Sequence, residues 1–157
     1  MKDSIKKGFG FGLTSGIMTT LGLMVGLSSG THSKFVVLAG IVTIAVADSL
    51  SDALGMHISQ ESVKKNKHKS VWESTYSTFF FKLVVALSFL IPVLMLELNT
   101  AIIVSIVWGF LLLSIFSVYI AEEKKKKKWK VVTEHLVIAV VIVVVTYFLG
   151  KFLGGVV

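Results

Sequence analysis

Two aspartates, Asp48 and Asp52, lie four residues apart in an otherwise apolar part of the chain. Met56 continues this spacing, and His57 and Glu61 follow, so on a helix the five side chains form a shallow spiral. Carboxylate, thioether and imidazole groups together suit Fe(II), Mn(II) or a similar divalent ion. The first three residues are therefore predicted to form a metal site, and the last two to lie at its mouth.

The surroundings of these acids are apolar enough for a membrane. Hydrophobic residues make up 54% of the 157 residues, charged residues make up 16%, and the mean hydropathy is +0.84. A soluble domain of this length needs much less apolar surface for one core. A carboxylate inside hydrocarbon costs about 2.5–3.5 kcal/mol on insertion scales, and its usual explanation is an ion or proton path.

Five apolar segments are long enough to be membrane helices, which need about 20 residues to cross about 30 Å of hydrocarbon. The predicted spans are residues 9–28, 35–56, 76–96, 101–121 and 131–153. The predicted fold class is therefore all-α, with residues 1–157 forming a single five-helix transmembrane domain.

The basic residues are unevenly distributed among the connections. All 16 are lysines, and 13 of them fall in three clusters, in residues 2–7, 64–69 and 124–130. The positive-inside rule then predicts a cytoplasmic amino terminus and a carboxyl terminus outside. The clusters predict binding to anionic lipid headgroups, whereas the absence of arginine argues against a nucleic-acid partner.

Small residues mark one face of each of the first two spans. On the first span the face comprises Gly8, Gly12, Gly16, Gly22, Gly26 and Gly30, within about 120° of arc. On the second it comprises Gly40, Ala47, Ser51 and Gly55, flanked by Asp48 and Asp52. Such faces let helices approach closely, so the acids are predicted to face protein. The partner of the first span is either the second span or a second copy of the chain.

The acids are predicted to lie at a similar membrane depth to a serine of the first span and a lysine of the third. If Ser28 and Phe35 mark the same interface, Asp48 lies level with Ser15, on the order of 20 Å from the outer surface. Lys82 enters the third span from the cytoplasmic side and reaches a comparable depth. A second, structural interpretation is therefore that the acids pair with Lys82 as a counter-ion, or are hydrated near the interface.

Several stretches of the chain resemble one known family. They are "GLTSGIMTTLGLMVGLSSG", "LAGIVTIAVADSLSDALGMHISQES", "LSFLIPVLML" and "VVTYFLGKFLG", in the first, second, third and last spans. Their small-residue runs and closing Tyr-x-x-Gly pattern resemble the vacuolar iron transporters. The resemblance implies a five-span homodimer that exchanges Fe(II) or Mn(II) for protons, with the metal as substrate and no tightly bound cofactor.

The family's own metal ligands differ in this chain. Aligned without gaps, its Asp in the first helix falls on Ser15, its Glu in the second on Thr43 and its Met on Ser51, and its Glu-rich cytoplasmic domain is absent. Asp48, predicted to be level with Ser15, would replace the missing carboxylate. The hydroxyls of Ser15, Thr19, Thr43 and Ser51 are expected to support the ion path.

The function predicted from these observations is a divalent-metal transporter in which protonation of an acid releases the ion. The alternatives are a proton or monovalent cation carrier of the same fold, and a membrane scaffold whose acids pair with Lys82. ATP is not expected to drive transport, because the sequence has no G-x-x-x-x-G-K-[ST] loop.

An enzyme is not predicted. The chain has no cysteine, and the adjacent Glu134 and His135 would point about 100° apart on a helix, which is unsuitable for a catalytic pair. All the basic residues are lysines and no targeting segment is predicted. The predicted location is therefore a prokaryotic cell membrane.

Overall fold

The structure, a computed structural model, describes residues 2–63 and 67–156. These residues form helices and no strands: α1 (Asp3–Thr31), α2 (Lys34–Glu61), α3 (His68–Ser88), α4 (Leu90–Met95), α5 (Leu98–Glu123) and α6 (Lys128–Gly154). With α3 and α4 counted as one, five helices in the described ranges are long and apolar enough to cross a membrane. The predictions of an all-helical fold and of five helices long and apolar enough to span a membrane are confirmed.

The helices extend beyond the apolar segments seen in the sequence. The first span was predicted over residues 9–28, but α1 occupies Asp3–Thr31, and α6 begins at Lys128 where residue 131 was expected. Hydropathy locates the apolar part of a helix, whereas the helix itself continues into polar flanks with good helix propensity. Lys64 and Lys65 of the second lysine cluster lie outside the described residues.

Pro92 explains why the third span is divided. Proline has no N–H to donate to the carbonyl four residues earlier, here that of Ser88, and its ring crowds that carbonyl. Accordingly α3 ends at Ser88, and the Phe89 N–H bonds to the carbonyl of Ala86, three residues back, at 3.2 Å. The chain re-enters a helix at Leu90.

The chain divides into two compact units. Unit 1 comprises Met1–Thr20 and Ile41–Leu90, and unit 2 comprises Leu21–Gly40 and Ile91–Val157. Each unit therefore contains part of α1 and part of α2. All the acids predicted to bind metal belong to unit 1.

The glycine face of α1 packs on a different helix in each unit. In unit 1 a Cβ added at Gly12 would lie 2.6 Å from the carbonyl oxygen of Thr78 in α3. In unit 2 a Cβ at Gly30 would lie 2.8 Å from the carbonyl oxygen of Gly150 in α6. The expected partner, the second span or a second copy, is therefore corrected to α3 and α6. The helical wheel identifies a face that permits close approach, but not the helix that approaches it.

The small-residue stripe of α2 is packed in unit 2 and exposed in unit 1. Gly40 packs against the side chains of Leu23 and Leu27 within unit 2. In unit 1, however, Ala47 and Ser51 are exposed, and a Cβ at Gly55 would meet nothing within 4 Å. In unit 1 α2 turns its acids toward α1 and α3, so this part of the stripe lies on the exposed side of the helix, and its packing against another helix stays a prediction.

We predict that alanine at Gly12 destabilises the protein, whereas alanine at Gly26 does not. The new methyl at position 12 would meet a backbone carbonyl that cannot move aside, which costs about 1–3 kcal/mol. At position 26 the nearest atom, the carbonyl oxygen of Thr146, is 3.4 Å away, and helix propensity favours alanine by about 1 kcal/mol. Thermal unfolding in detergent, followed by circular dichroism, compares the two variants. Equal melting temperatures would contradict the close approach of α1 to α3.

Candidate ion site

Lys82 lies in the middle of α3 with its side chain only 1% exposed. Its stem runs past Gly16 of α1, where an added Cβ would lie 3.4 Å from the Lys82 Cγ. The Lys82 carbonyl oxygen would be nearer to that Cβ, at 3.2 Å, so the glycine lets α1 lie close to the backbone of α3 at this residue. A buried ammonium is tolerated only if it is paired and hydrogen-bonded, so its partners are decisive.

Three oxygen atoms surround the Lys82 ammonium. Nζ lies 2.5 Å from Asp48 Oδ2, forms a short ion pair with Asp52 Oδ2, and donates to the Ser15 hydroxyl at 2.9 Å. An ammonium has three donors, and here two of them bond to Ser15 and Asp52, whereas Asp48 contributes an ion pair. We call Ser15, Asp48, Asp52 and Lys82 the Lys82 cluster.

The two carboxylates are held differently. Asp52 Oδ2 accepts hydrogen bonds from both Lys82 and Ser15, the latter at 2.6 Å. Asp48 Oδ2 is buried and has the Lys82 ion pair but no aligned hydrogen bond from the described residues. Of the two acids, Asp48 is therefore the less completely satisfied.

The formal charge of the Lys82 cluster is −1, because two carboxyl groups face one amine when each is counted in its usual ionised form. The Asp48 and Asp52 side chains are 27% and 21% exposed, in contrast to the fully buried lysine. Inside hydrocarbon an uncompensated charge would be costly. The arrangement can therefore accept one further positive charge, a proton or a cation, on the partly open side of the carboxylates.

The hydrogen-bond partner of Ser15 differs from the one that the depth estimate indicated. Ser15 was expected level with Asp48, but it bonds directly to Asp52, and Asp48 joins the cluster through Lys82. The Cα–Cβ bonds of a helix tilt toward its amino terminus, so the side chain of Asp52 reaches back along α2 toward Asp48. The two acids thus converge on one ammonium, although their positions are one helical turn apart.

The remaining predicted ligands are not gathered around this cluster. Thr19 donates its hydroxyl to the backbone carbonyl of Ser15 at 2.9 Å, the usual bond of a hydroxyl in a membrane helix. Thr43 and Ser51 are exposed. Met56 is half-buried one turn beyond Asp52, and its part as a metal ligand stays a prediction.

His57 connects α2 to α3. Its Nδ1 lies 3.1 Å from the Thr75 hydroxyl, which itself donates to the carbonyl of Val71 at 2.9 Å, so Nδ1 is the donor to Thr75. Its ring packs edge-on against Trp72, and its Nε2 lies 4.0 Å from Glu61 Oε2. The sequence analysis did not identify Thr75 and Trp72, although their spacing of three places them on one face of α3. The role of His57 and Glu61 at the mouth of an ion path stays a prediction.

A ready-made metal site is not present in the described ranges, which contain no group of three or more His, Asp or Glu side chains able to hold a metal ion. The Lys82 cluster offers two carboxylates and one hydroxyl oxygen. The Lys82 ammonium occupies the point on which these oxygens converge. A divalent ion would bind there only if the ammonium moved away or lost its proton.

Comparison of the chain with protein-family models gives no match, and comparison with curated proteins gives none either. The resemblance to the vacuolar iron transporters stays a hypothesis based on the four stretches quoted above.

We predict that Lys82→Met destabilises the protein much more than Lys128→Met. Loss of Lys82 leaves two partly buried carboxylates without a counter-charge, and breaking a buried pair costs up to about 3–5 kcal/mol. Lys128 pairs with Glu122 at 2.5 Å, but both side chains are more than half exposed, and such pairs contribute about 1 kcal/mol or less. Thermal unfolding in the same detergent compares the two variants. A similar small loss for both would show that Lys82 does not compensate the carboxylates.

Proposed function

We propose that this chain is an integral membrane transporter of divalent cations, Fe(II) or Mn(II), with the Lys82 cluster as its ion site. The observation that carries the proposal is the convergence of two carboxylates within helices apolar enough to cross a membrane, with one negative charge left uncompensated. A carboxylate pair at this depth is typical of ion and proton paths.

In the proposed transport cycle, Lys82 acts as an internal substitute for the cation. When a metal ion enters, the ammonium leaves the carboxylates, and Asp48 and Asp52 bind the ion with Met56 as a softer ligand. Ser15 supplies a hydroxyl oxygen beside Asp52. Protonation of Asp48 and Asp52 from the other side would release the metal, which gives exchange of metal for protons. Loss of these protons and return of the Lys82 ammonium would then restore the ion pairs.

The proposed orientation has the amino terminus in the cytoplasm and the carboxyl terminus outside, in a prokaryotic cell membrane. The lysine clusters near residues 2–7 and 124–130 support it, because such clusters stay on the cytoplasmic side. His57 and Glu61 follow the acids along α2 toward that side, so they would form the cytoplasmic mouth of the path.

A second candidate is a carrier of protons or monovalent cations, or a scaffold without transport activity. The scaffold is favoured by the buried position of the Lys82 ammonium, which is hydrogen-bonded to Ser15 and Asp52 and ion-paired with Asp48. In the scaffold, the cluster would serve only to fix α1, α2 and α3 relative to one another within unit 1.

Reconstituted liposomes distinguish these candidates. Each protein is reconstituted into vesicles that contain a metal-sensitive dye and a pH dye. The proteins compared are the wild type, Asp48→Asn, Asp52→Asn and the exposed control Glu122→Gln. The proposal predicts Mn(II) influx coupled to proton movement in wild type and control, reduced at least about tenfold in both aspartate variants, the loss expected when a buried ligand charge is removed. Proton flux without metal flux would favour the proton carrier, and the absence of any flux would favour the scaffold.

We further propose that the active form is a homodimer that packs α2 against α2. In unit 1 the exposed small residues Ala47, Ser51 and Gly55 leave a surface that a second helix could approach closely. Beside them, Val46, Leu50 and Leu54 are about half exposed and supply apolar contact area.

Single-cysteine cross-linking tests this dimer without background, because the chain has no native cysteine. Near a twofold axis a residue faces its own copy, and a disulfide needs Cα atoms about 4.4–6.8 Å apart. We expect oxidation to cross-link Ala47→Cys or Ser51→Cys in membranes, but not the exposed control Val141→Cys on α6. Equal cross-linking of all three would indicate random collision and contradict the interface.

A further inference from the structure

A groove of about 640 Å³ lies between α5 and α6, at the end where the two helices are joined. We call it the α5–α6 groove, and its lining consists of Ser114, Ile115, Val118, Lys128, Trp129, Val132 and Leu136. Ser114 donates its hydroxyl to the backbone carbonyl of Phe110 at 2.7 Å. Apart from Lys128 at one end, the groove therefore offers an apolar surface.

The basic end of the groove carries a strong positive charge. Residues 122–130 contain six lysines and two glutamates, a surplus of four positive charges. Glu122 compensates Lys128, with 2.5 Å between Nζ and Oε1. The other lysines of this segment are exposed.

The lysine-rich loop has a defined backbone conformation at the end of α5. The Lys126 N–H bonds to the carbonyl of Ala121 at 2.9 Å, and the Lys125 N–H bonds to that of Glu122 at 3.2 Å. Lys125 has a φ of 51°. Together these features form a Schellman motif, which ends the helix in a fixed turn. The lysine charges are thereby held beside the mouth of the groove.

Trp129 lies at the boundary between the charged loop and the apolar groove. It lines the groove and is nevertheless 84% exposed. An indole combines an apolar ring with one N–H donor and is enriched at the headgroup level of membranes. From Lys128 to Leu136 the groove follows α6 for about 12 Å, at 1.5 Å per residue. It therefore leads from headgroup depth into the hydrocarbon.

We propose that the α5–α6 groove binds one acyl chain of an anionic glycerophospholipid, whose phosphate is bound by the lysines of the Lys124–Lys130 segment. The ligand is indicated by the combination of an apolar groove at membrane depth, a basic end and an interfacial tryptophan. Basic pockets between membrane helices bind anionic headgroups in this way. The site rests on the membrane location of α5 and α6 and is independent of ion transport, because it lies wholly in unit 2.

Native mass spectrometry of the delipidated full chain in neutral detergent tests this site. Palmitoyl-oleoyl phosphatidylglycerol and phosphatidylcholine are added in parallel at equal concentration, so the two probes differ only in their headgroups. We expect one phosphatidylglycerol per chain, bound about tenfold more tightly than phosphatidylcholine. Lys126→Gln/Lys127→Gln should weaken this preference, and excess inorganic phosphate should not displace the lipid.

Matched variants of α6 distinguish lipid binding in the groove from nonspecific attraction of the lipid to the lysines. Val132→Trp fills the groove and should abolish the tight binding, whereas Ile138→Trp, outside the groove lining, should leave it unchanged. Equal affinity for the two lipids, unchanged binding in Val132→Trp, or displacement by inorganic phosphate would each overturn the proposal. Liposome flux is not part of these measurements, so a failure of the transport proposal would leave their outcome unaffected.

A measurement with the groove intact covers the case in which Val132→Trp does not fold. In Trp72→Phe/Trp108→Phe only Trp129 fluoresces, and phosphatidylglycerol with brominated acyl chains should quench it at a lower mole fraction than brominated phosphatidylcholine does. Equal quenching by the two lipids would overturn the site.

Discussion

The charge balance at Lys82 is the interaction on which the arrangement of unit 1 depends. An ammonium that is 1% exposed needs partners, and Asp48, Asp52 and Ser15 supply them from two other helices. These partners determine the rotation of α2, because both acids must point toward α3. They also explain why Ala47, Ser51 and Gly55 remain on the outside of α2. Gly12 and Gly16 contribute by letting α1 approach the backbone of α3 near this lysine.

The same charge balance connects structure to proposed function. Two carboxylates and one ammonium leave a single negative charge, on acids that are partly open on one side. Such a cluster is compatible with a fixed structural role, but its remaining charge and its convergent oxygens also suit a cation that exchanges with Lys82. In the proposed function, Lys82 competes with the transported cation for the two carboxylates. From the sequence, Lys82 was predicted only as a counter-ion.

The five helices that are long and apolar enough to span a membrane were predictable, because apolar length alone identifies such candidates. The pairing of Lys82 with the acids was also accessible, since they are the charges inside otherwise apolar segments. The partner of the α1 glycines was not, because a helical wheel shows a face and not its neighbour. The pairing of Ser15 with Asp52 was missed because the depth estimate counted Cα positions, whereas the contact depends on how far each side chain reaches along its helix.

The most direct test of the account is the coupling free energy between Lys82 and Asp52, from a double-mutant cycle of Lys82→Met, Asp52→Asn and the double variant in one detergent. If the ammonium compensates the carboxylate, the double variant will be more stable than the sum of the two single losses predicts, by about 0.5–3 kcal/mol. Strictly additive losses would contradict the central claim, because they would mean that the two side chains contribute to stability independently.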